Sequence, residues 1–531
     1  MVETPTDPDT LLASVEALEA DIATALRALV EARVRAARER TPEVRAEAER
    51  LREAVDQLLQ RQSALVDLIE ASVELNGGPS MQDLRPARTD NDPFDRRPRS
   101  SLKRQLVDQT ADLDDCLPDA LDAVLSLLPK GWLDAEPAEQ FHLSARQDSG
   151  AISIVKGMRP EGEFPTGHRF RQALHACNDY LKVDPGYDHF AGATLVPQIT
   201  QLGRKLEALG EVGGSAERIA SLWKDDKPDS TLFELFVAAG CIDRGTPVSF
   251  IPRTHEKTAD LRSYRPYPLL IECKRRQALN PYELAEEAIM RDIFERVFAR
   301  AAPHGLYGRF SLTATVSADK LDPQEIADKL FAQRLAAHAD RPLQYPWGEV
   351  AFQELPRRTT LPSQTKAYSP ILLKRMFDWE SDVPEWDGIV CRFDGPQAGF
   401  TDEARSPIGL VWKNLSEAAL RKRAWAPVDL FQDATKQITP GEVGIIYVAY
   451  NEGARADIAD DRYKRYEAWL QDMEHRGDIR LPINFLVRLF PRALDHGNPD
   501  LIESVVKFYN ATYGDETLFD DFPAGVFATA S

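Results

Sequence analysis

The first 76 residues carry a long helical pattern of apolar positions. Between residues 8 and 76, apolar side chains recur at alternating intervals of three and four, with a single break at Thr41-Pro42. About four heptads on each side of the break predict two long helices, which form a coiled-coil arm. Such an arm either folds back as an antiparallel hairpin or pairs with another subunit or a partner protein. The spacing is compatible with both.

Residues 77–100 have a different composition. They are rich in Pro, Arg and Asp and poor in apolar residues, which predicts a linker. Residues 101–227 return to helical spacing, with regularly placed leucines from 102 to 128 and the amphipathic runs HRFRQALHACNDYL and TQLGRKLEALGEV. We therefore expect a helical region there.

From residue 228 the pattern becomes that of an α/β domain. TLFELFVAAGCI predicts a helix, and PVSFIPR, TADLRSY and YPLLIECKR predict three strands. An amphipathic helix (PYELAEEAIMRDIFERVFARAA) and a strand (GRFSLTATVSA) follow, so residues 228–318 are expected to form an α/β core. Residues 319–426 are interpreted as an insertion or an extension of its sheet. Residues 427–531 are interpreted as a C-terminal α/β region that ends in a helix over about 499–511.

Composition and charge exclude several classes of protein. The chain has 531 residues, of which 43% are hydrophobic and 28% are charged, as in ordinary globular proteins. No apolar run is long enough for a membrane span, and the N-terminus lacks the apolar core of a secretory signal. The five cysteines form no CxxC pair, which fits a reducing, cytoplasmic location. The net charge of −20 argues against tight, metal-free, non-specific binding of nucleic acid, although a local basic patch can still bind it.

Candidate chemistry is concentrated in YPLLIECKRR. An apolar strand ends there in Glu272, Cys273 and Lys274, and strand alternation directs Glu272 and Lys274 to one face. Asp260, twelve residues earlier, is expected on the neighbouring strand, close to Glu272. Glu234 lies on the helix that precedes the first strand.

Two neighbouring carboxylates repel each other, which raises a pKa or recruits a cation. Their hard oxygen atoms suit Mg²⁺ or Mn²⁺ better than zinc. A metal so held polarises a phosphoryl oxygen and activates water, while Lys274 orients or deprotonates that water and offsets phosphate charge. Glu234 is placed to reach the same metal through water.

These residues resemble the PD-(D/E)xK, or restriction-endonuclease-like, nuclease superfamily. Glu234 in LFELFVAA, Asp260 in TADL and Glu272-Cys273-Lys274 in LLIECKRR match its motif in spacing and in helix–strand order over about residues 228–318. The resemblance implies that Asp260, Glu272 and the backbone carbonyl of Cys273 hold the metal, with Glu234 as a secondary ligand. One departure is that Ala259, and not proline, precedes Asp260.

Other residues carry weaker signals. Arg275, Arg276 and Arg253 are candidates for phosphate contacts, since they neighbour the motif. Lys436 and Gln437 are less strongly indicated as an extension of the site from a later helix. His168, His175 and Cys177 lack a fourth partner at ligand spacing, so a helix surface with a buried cysteine explains them better than zinc does. Glycine-rich phosphate loops, GxSxG and HExxH are absent from the sequence, which excludes the corresponding enzyme classes.

The sequence therefore predicts a mixed α/β protein with a restriction-endonuclease-like core, an N-terminal coiled-coil arm and further helical segments. Its predicted activity is Mg²⁺- or Mn²⁺-dependent hydrolysis of DNA, and the family resemblance implies a setting in bacterial defence against phage or in restriction. Two alternatives stay open. One is a coiled-coil interaction protein whose α/β domain binds nucleic acid or a partner without cutting, and the other is a nuclease subunit activated by a separate sensor or ATPase.

Overall fold

The structure, a computed structural model, describes most of the chain after residue 101. The described residues are 102–110, 116–135, 151–156, 168–184, 187–224, 227–253, 258–265, 268–276, 279–335, 342–367, 369–378, 385–395, 400–438, 442–452, 455–475, 481–493, 499–510 and 519–527, with six isolated positions between 46 and 61. Nearly all of the predicted coiled-coil arm and the linker at 77–100 lie outside them. Two compact units are present, residues 1–99 with 181–183, and residues 100–180 with 184–531. The site analysed below belongs to the second unit.

Eleven α-helices and fourteen strands occur among the described residues. The helices are α1 Leu117–Ser126, α2 Arg169–Leu181, α3 His189–Gly210, α4 Ser215–Ser221, α5 Pro228–Asp243, α6 Pro281–Ala301, α7 Pro323–Leu335, α8 Pro370–Phe377, α9 Glu417–Ala424, α10 Ala426–Thr435 and α11 Ala456–His475. The strands are β1 Leu102–Thr110, β2 Ile152–Val155, β3 Val248–Phe250, β4 Leu261–Ser263, β5 Leu269–Arg276, β6 Gly308–Ala314, β7 Leu343–Tyr345, β8 Gly348–Glu354, β9 Arg358–Lys366, β10 Gly388–Asp394, β11 Phe400–Asn414, β12 Gly444–Asn451, β13 Ile483–Ala493 and β14 Pro499–Asn510. The predicted mixed α/β class is confirmed.

The first sheet has the strand order β1-β14-β13-β12-β5-β4-β3. Strands β5, β12 and β13 are parallel, and the neighbours on both sides are antiparallel. All eight residues of β12 are buried, as expected for a central strand with covered faces. Helix α10 packs on the face of Leu270, Ile446 and Val448. On the opposite face α5 contacts the C-terminal segment, where the Phe233 ring stacks on Phe527 at 5.7 Å.

The second sheet has the order β2-β10-β11-β6-β8-β7, and β9 also pairs with β11. Helices α6 and α7 pack against it through a core that includes Phe294, Phe310 and Trp412. Helix α6 begins with a capping box, in which Asn280 and Glu283 satisfy each other's backbone N–H groups. Residues 279–414 thus build mainly this sheet, so the predicted insertion at 319–426 begins earlier than the sequence suggested.

The predicted order of one helix, three strands, a helix and a strand occurs, but its last helix and strand are not the ones predicted within residues 228–318. Helix α5 and strands β3, β4 and β5 are where the sequence placed them. The next helix on this sheet is α10, and the strand beside β5 is β12, whereas α6 and β6 belong to the second sheet. A continuous core over 228–318 is therefore wrong. In the chain, residues 277–425 separate β5 from helix α10, which packs on the face of its sheet, and from strand β12, which pairs with it.

Two further predictions of helix are wrong. Residues 102–110, predicted as helix, form strand β1, and residues 499–510, predicted as the final helix, form strand β14. The two strands pair with each other from Leu102–Asn510 to Thr110–Ile502. Strand β14 lies between two strands and is buried on both faces, so the polar alternation that marks a half-exposed strand is missing. The predicted helical region 101–227 also contains strand β2, although its second half is helical as expected.

A network of buried ion pairs joins elements of both sheets. We define the buried ion network as Lys156, Glu283, Glu286, Asp387, Arg423, Glu452, Arg455 and Arg462, which are all at most 8% exposed. Lys156 pairs with Glu283, Arg423 with Glu286 and Asp387, and Arg462 with Glu452. Arg455 donates to Asp387 at 2.6 Å, and the Asn414 N–H donates to the same carboxylate at 2.6 Å. Four cationic and four anionic side chains are therefore paired within the core.

In the described part of the chain, no helix combines the length and apolar character that crossing a membrane requires.

Candidate active site

The site forms where strand β5 loses one of its two neighbours. Strand β4 pairs with β5 only from Ser263–Leu269 to Leu261–Ile271, whereas β12 continues alongside β5 to Arg276. From Glu272 onward, the edge of β5 that faces β4 therefore lacks a strand partner among the described residues. Such an edge exposes backbone polar groups that other atoms must satisfy.

Asp260 occupies that edge. Its Oδ2 accepts a hydrogen bond from the Cys273 N–H at 2.9 Å. The Asp260 N–H donates to the Ile271 carbonyl at 3.1 Å, and the Asp260 carbonyl accepts from the Ile251 N–H at 2.9 Å. Three hydrogen bonds to neighbouring chain segments thus hold Asp260 beside β5, as the sequence predicted.

Glu272 and Lys274 share one face of β5, which confirms the prediction from strand alternation. The Lys274 Nζ is paired with Glu272 Oε1. Glu272 is fully buried, and no described residue donates a hydrogen bond to its second oxygen, Oε2, although the Asp260 and Glu272 carboxyls are close enough to share one when either is protonated. Lys274 is 24% exposed, so the pair connects a buried carboxylate with the solvent. A buried oxygen without a partner is costly unless a further group binds it.

Glu234 is held by two arginines. It projects from α5, where it is buried, and Arg218 of α4 lies 3.1 Å from its Oε2. The exposed Arg253 lies 3.7 Å from Oε1 and donates to Thr231 Oγ1 at 3.3 Å. Arg218 also donates to the Ile251 carbonyl at 3.3 Å, next to the segment that carries Asp260. These contacts favour a positioning role for Glu234 over the predicted role of secondary metal ligand.

All three carboxyl groups have raised pKa values. Burial, and then the charge of Asp260, raise the pKa of Glu234 to about 8, against the opposing effects of Arg218 and Arg253. Burial and Asp260 also raise the pKa of Glu272 well above its usual range, and burial raises that of Asp260. For Lys274, burial lowers the pKa, but Glu272 and Asp260 raise it by more. Burial and the repulsion between the carboxylates therefore outweigh the effect of the one ammonium and two arginines that lie near them.

The arrangement offers oxygen atoms for one small cation. Asp260 and Glu272 are the two carboxylates, and Glu272 Oε2 is the oxygen without a partner. A residue in a strand directs its N–H and C=O to the same edge, so the Cys273 carbonyl faces the edge where Asp260 lies. No group of three or more His, Cys, Asp or Glu side chains is arranged for a metal within the described residues. The fitting set is therefore two carboxylates with one backbone carbonyl, which are hard ligands of the kind that Mg²⁺ and Mn²⁺ prefer.

The predicted basic residues have different positions. Arg253 lies beside Glu234, and Arg276 lies on the face of β5 that carries Glu272 and Lys274. Arg275 lies on the opposite face, where its guanidinium packs over the Phe527 ring at 4.6 Å. Burial lowers the pKa of Arg275 to about 10. Arg275 therefore supports the fold behind β5 and is separated from the carboxylates.

Lys436 and Gln437 follow helix α10 in the chain. Lys436 is exposed and pairs with Asp433 at 2.8 Å. The neighbouring Ile438 packs against Gly444, which is in register with Leu270, two residues before Glu272 on β5. The ion pair of Lys436 is therefore with Asp433, and neither Lys436 nor Gln437 has an ion pair or a hydrogen bond with Asp260 or Glu272 among the described residues.

The residues considered for zinc do not form a metal site. His168 directly precedes α2, and His175 lies within it. The His168 ring contacts Trp132 edge-on at 5.4 Å. Cys177 is fully buried, and burial raises the pKa of its thiol. This agrees with the interpretation of a helix with a buried cysteine.

Arg218 is the member of the site that sequence reasoning missed. It stands in the seven-residue helix α4, in the ordinary-looking run SAERIAS. Its burial depends on α4 packing against α5, which local sequence does not reveal. Comparison of the chain with family models, curated proteins and solved structures found no match. The functional inference therefore rests on the geometry of the site.

Proposed function

We propose that the protein is a metal-dependent nuclease that hydrolyses phosphodiester bonds of DNA, with a restriction-endonuclease-like core made of α5, β3, β4, β5, α10 and β12. The observation that carries the proposal is the buried Asp260–Glu272 pair, with the unpartnered Glu272 Oε2, at the edge where β5 loses β4. The order of one helix, three antiparallel strands, a helix and a parallel strand is the one that the family resemblance implies.

In this proposal Asp260, Glu272 and the Cys273 carbonyl hold Mg²⁺ or Mn²⁺. A bound ion of this kind supplies positive charge to a phosphoryl oxygen and lowers the pKa of water. The raised carboxyl pKa values fit this function, because a cation offsets the repulsion that raises them and makes the ionised forms favourable.

Lys274 orients the attacking water and offsets charge that develops on the phosphate. Its ammonium group contacts Glu272 and is partly exposed, so it can reach both the buried carboxylate and a bound substrate. Its pKa is raised, so the ammonium form predominates at neutral pH, which favours electrostatic stabilisation over proton abstraction.

Arg253 and Arg276 contact the phosphate backbone on either side of the scissile bond. Arg253 lies beside Glu234, Arg276 lies about 13 Å along β5 from Glu272, and arginine binds phosphate through paired N–H donors. Glu234 fixes Arg218 and Arg253 near the carboxylates. The biological setting that we propose is bacterial defence or restriction, on the family resemblance, with the N-terminal arm pairing subunits or binding a sensor or ATPase.

The proposal is tested by incubating the purified full chain with supercoiled plasmid, linear duplex and single-stranded DNA. Mg²⁺, Mn²⁺ and EDTA are compared in parallel. We expect cleavage with either metal and none with EDTA. A protein that binds DNA but cuts none of the substrates, with either metal and with its candidate partners present, would instead be a nucleic-acid-binding module.

A further inference from the structure

Trp425 is an exposed aromatic side chain close to the candidate site. It stands between α9 and α10 and is 39% exposed. It is the one tryptophan among the large apolar residues that are exposed in the described ranges. Single exposed apolar side chains are common, but an exposed indole offers a face on which a nucleic-acid base can stack.

Contacts of α10 place Trp425 at the site end of β5. The far end of this helix, near Ile438, lies by Gly444 and therefore by Leu270 at the start of β5. At its near end, the Asp429 N–H donates to the Trp425 carbonyl at 3.2 Å. Burial raises the pKa of Asp429, and the charge of Arg276 opposes this rise, in agreement with Arg276 lying at the same end of α10.

Trp425 has a fixed backbone and positive charge beside its indole. The Trp425 carbonyl accepts hydrogen bonds from the Val428 and Asp429 N–H groups at 3.0 and 3.2 Å, which anchor the residue at the start of α10. Lys422 lies one helical turn before Trp425 and is exposed, with its Nζ 4.9 Å from the centre of the Tyr282 ring. An aromatic face flanked by an arginine and a lysine is the combination that binds single-stranded nucleic acid.

Arg276 links this surface to the carboxylates. Glu272, Lys274 and Arg276 lie on one face of β5, so about 13 Å separates the first from the last at the rise of an extended strand. That distance corresponds to a few nucleotides. A DNA strand whose scissile phosphate lies at Glu272 therefore reaches Arg276, at the end of β5 where Trp425 lies, without a change in the fold.

We infer that the substrate is bound as a single strand, with an unpaired base stacked on Trp425 and its phosphates contacted by Arg276 and Lys422. In a duplex both faces of each base are covered by neighbouring bases, so the indole can stack only on an unpaired one. The net charge of −20 also favours the strand of lower charge density. This inference rests on the proposed function and adds the form of substrate to it.

The test is binding of fluorescein-labelled DNA to the full chain in EDTA, measured by anisotropy. The probes are an oligothymidylate of about 16 nucleotides and a duplex of the same length. The variants are Trp425→Ala and Trp425→Phe, and the matched control is Tyr264→Ala. Tyr264 is 56% exposed and lies near the opposite end of β5, where Ser263 pairs with Leu269.

We expect the parent to bind the single strand more tightly than the duplex. Trp425→Ala weakens single-strand binding by about tenfold, the usual effect of losing one stacked base, whereas Trp425→Phe and Tyr264→Ala stay within about twofold of the parent. Duplex binding does not change in any variant. A parent that prefers duplex, or a Trp425→Ala variant that binds the single strand like the parent, overturns the inference and leaves the nuclease proposal standing. A parent that binds neither probe in EDTA and cuts neither with Mg²⁺ or Mn²⁺ overturns both.

Discussion

Two clusters of buried charge in this protein contain the same types of side chain, but the pKa values of their glutamates shift in opposite directions. In the buried ion network, Glu283 and Glu452 are buried beside Lys156 and Arg462. Burial alone would raise their pKa values, but Lys156 lowers that of Glu283 and Arg462 lowers that of Glu452, and both values end below the usual range. In the candidate site Glu234, Asp260 and Glu272 are also near cations, yet all three pKa values are raised.

The difference lies in what each carboxylate faces. The network contains four cations for four anions, and its carboxylates face arginine or lysine more than each other. The site has three cations for three carboxylates, but Asp260 raises the pKa of both glutamates, so these carboxylates also repel one another. Asp387 is an exception within the network, since burial raises its pKa to about 7 although Arg455 and Arg423 contact it.

Carboxylates that face cations suit a structural role, and carboxylates that repel one another suit a functional one. A network in which each carboxylate pairs with a cation stabilises one arrangement of the two sheets. A cluster of buried carboxylates that repel one another costs stability unless a cation binds, and such perturbed groups concentrate at active sites. The protein therefore separates these roles between two sets of acidic residues.

The largest expected effect is on cleavage. Asp260→Asn or Glu272→Gln removes a metal ligand, so we expect the rate of metal-dependent cleavage to fall by at least about a hundredfold. The melting temperature stays equal or rises slightly, because repulsion between the carboxylates is relieved. Asp433→Asn is the control, since it changes an exposed carboxylate at the far end of α10. Cleavage at the parent rate by either site variant would remove that residue from the metal site.

The second effect is on stability. Arg462 and Glu452 are 2% and 1% exposed, and Arg462→Met leaves Glu452 buried without its partner. We expect a loss of about 3–5 kcal/mol in the free energy of unfolding, measured with urea. Arg465→Met, on the same helix, breaks a partly exposed pair with Asp461 and costs less than about 1 kcal/mol. Equal losses in the two variants would contradict the structural role of the network.

The third and smallest effect is on pH dependence. The pKa of Glu234 is about 8 in the folded protein, against an ordinary value of 4.5. Below pH 4.5 both states hold the proton. Between pH 4.5 and about pH 8 only the folded state retains the proton. Glu234 therefore lowers the free energy of unfolding as the pH rises through this range. Above about pH 8 both states are ionised and the effect is constant. Glu234→Gln removes this contribution and gains stability relative to the parent between pH 5 and pH 8.5.

Urea unfolding of the parent and of Glu234→Gln, each at pH 5 and at pH 8.5, measures that gain in stability. An identical change in stability for parent and variant would show that Glu234 titrates normally. Arg218 and Arg253 would then outweigh burial in setting its charge.

Local sequence predicted the centre of the site but not its surroundings. The apolar run that ends in Glu272-Cys273-Lys274 determined the strand, its buried half and the shared face of Glu272 and Lys274. The neighbouring Asp260 followed from a short connection between antiparallel strands. These features depend on residues close together in the chain, where periodicity is informative.

Features that depend on distant pairing were missed. Strand β12 joins β5 from beyond residues 277–425, and no local signal shows that α6 and β6 leave for another sheet. Strand β14 was predicted as a helix because it is covered on both faces and lacks polar alternation. Arg218 looks like a surface residue until α4 packs against α5. In each case tertiary contacts override the local pattern.

Lys274→Ala tests most directly whether the candidate site catalyses hydrolysis or only binds. A group that acts in the transition state contributes to rate and little to affinity, whereas one phosphate contact among several contributes modestly to affinity. Cleavage with Mg²⁺ and binding in EDTA are measured on the same DNA for parent and variant. We expect binding within about threefold of the parent and cleavage reduced by about a hundredfold or more. Cleavage by Lys274→Ala at the parent rate would contradict the catalytic role of this residue and the mechanism proposed for the site.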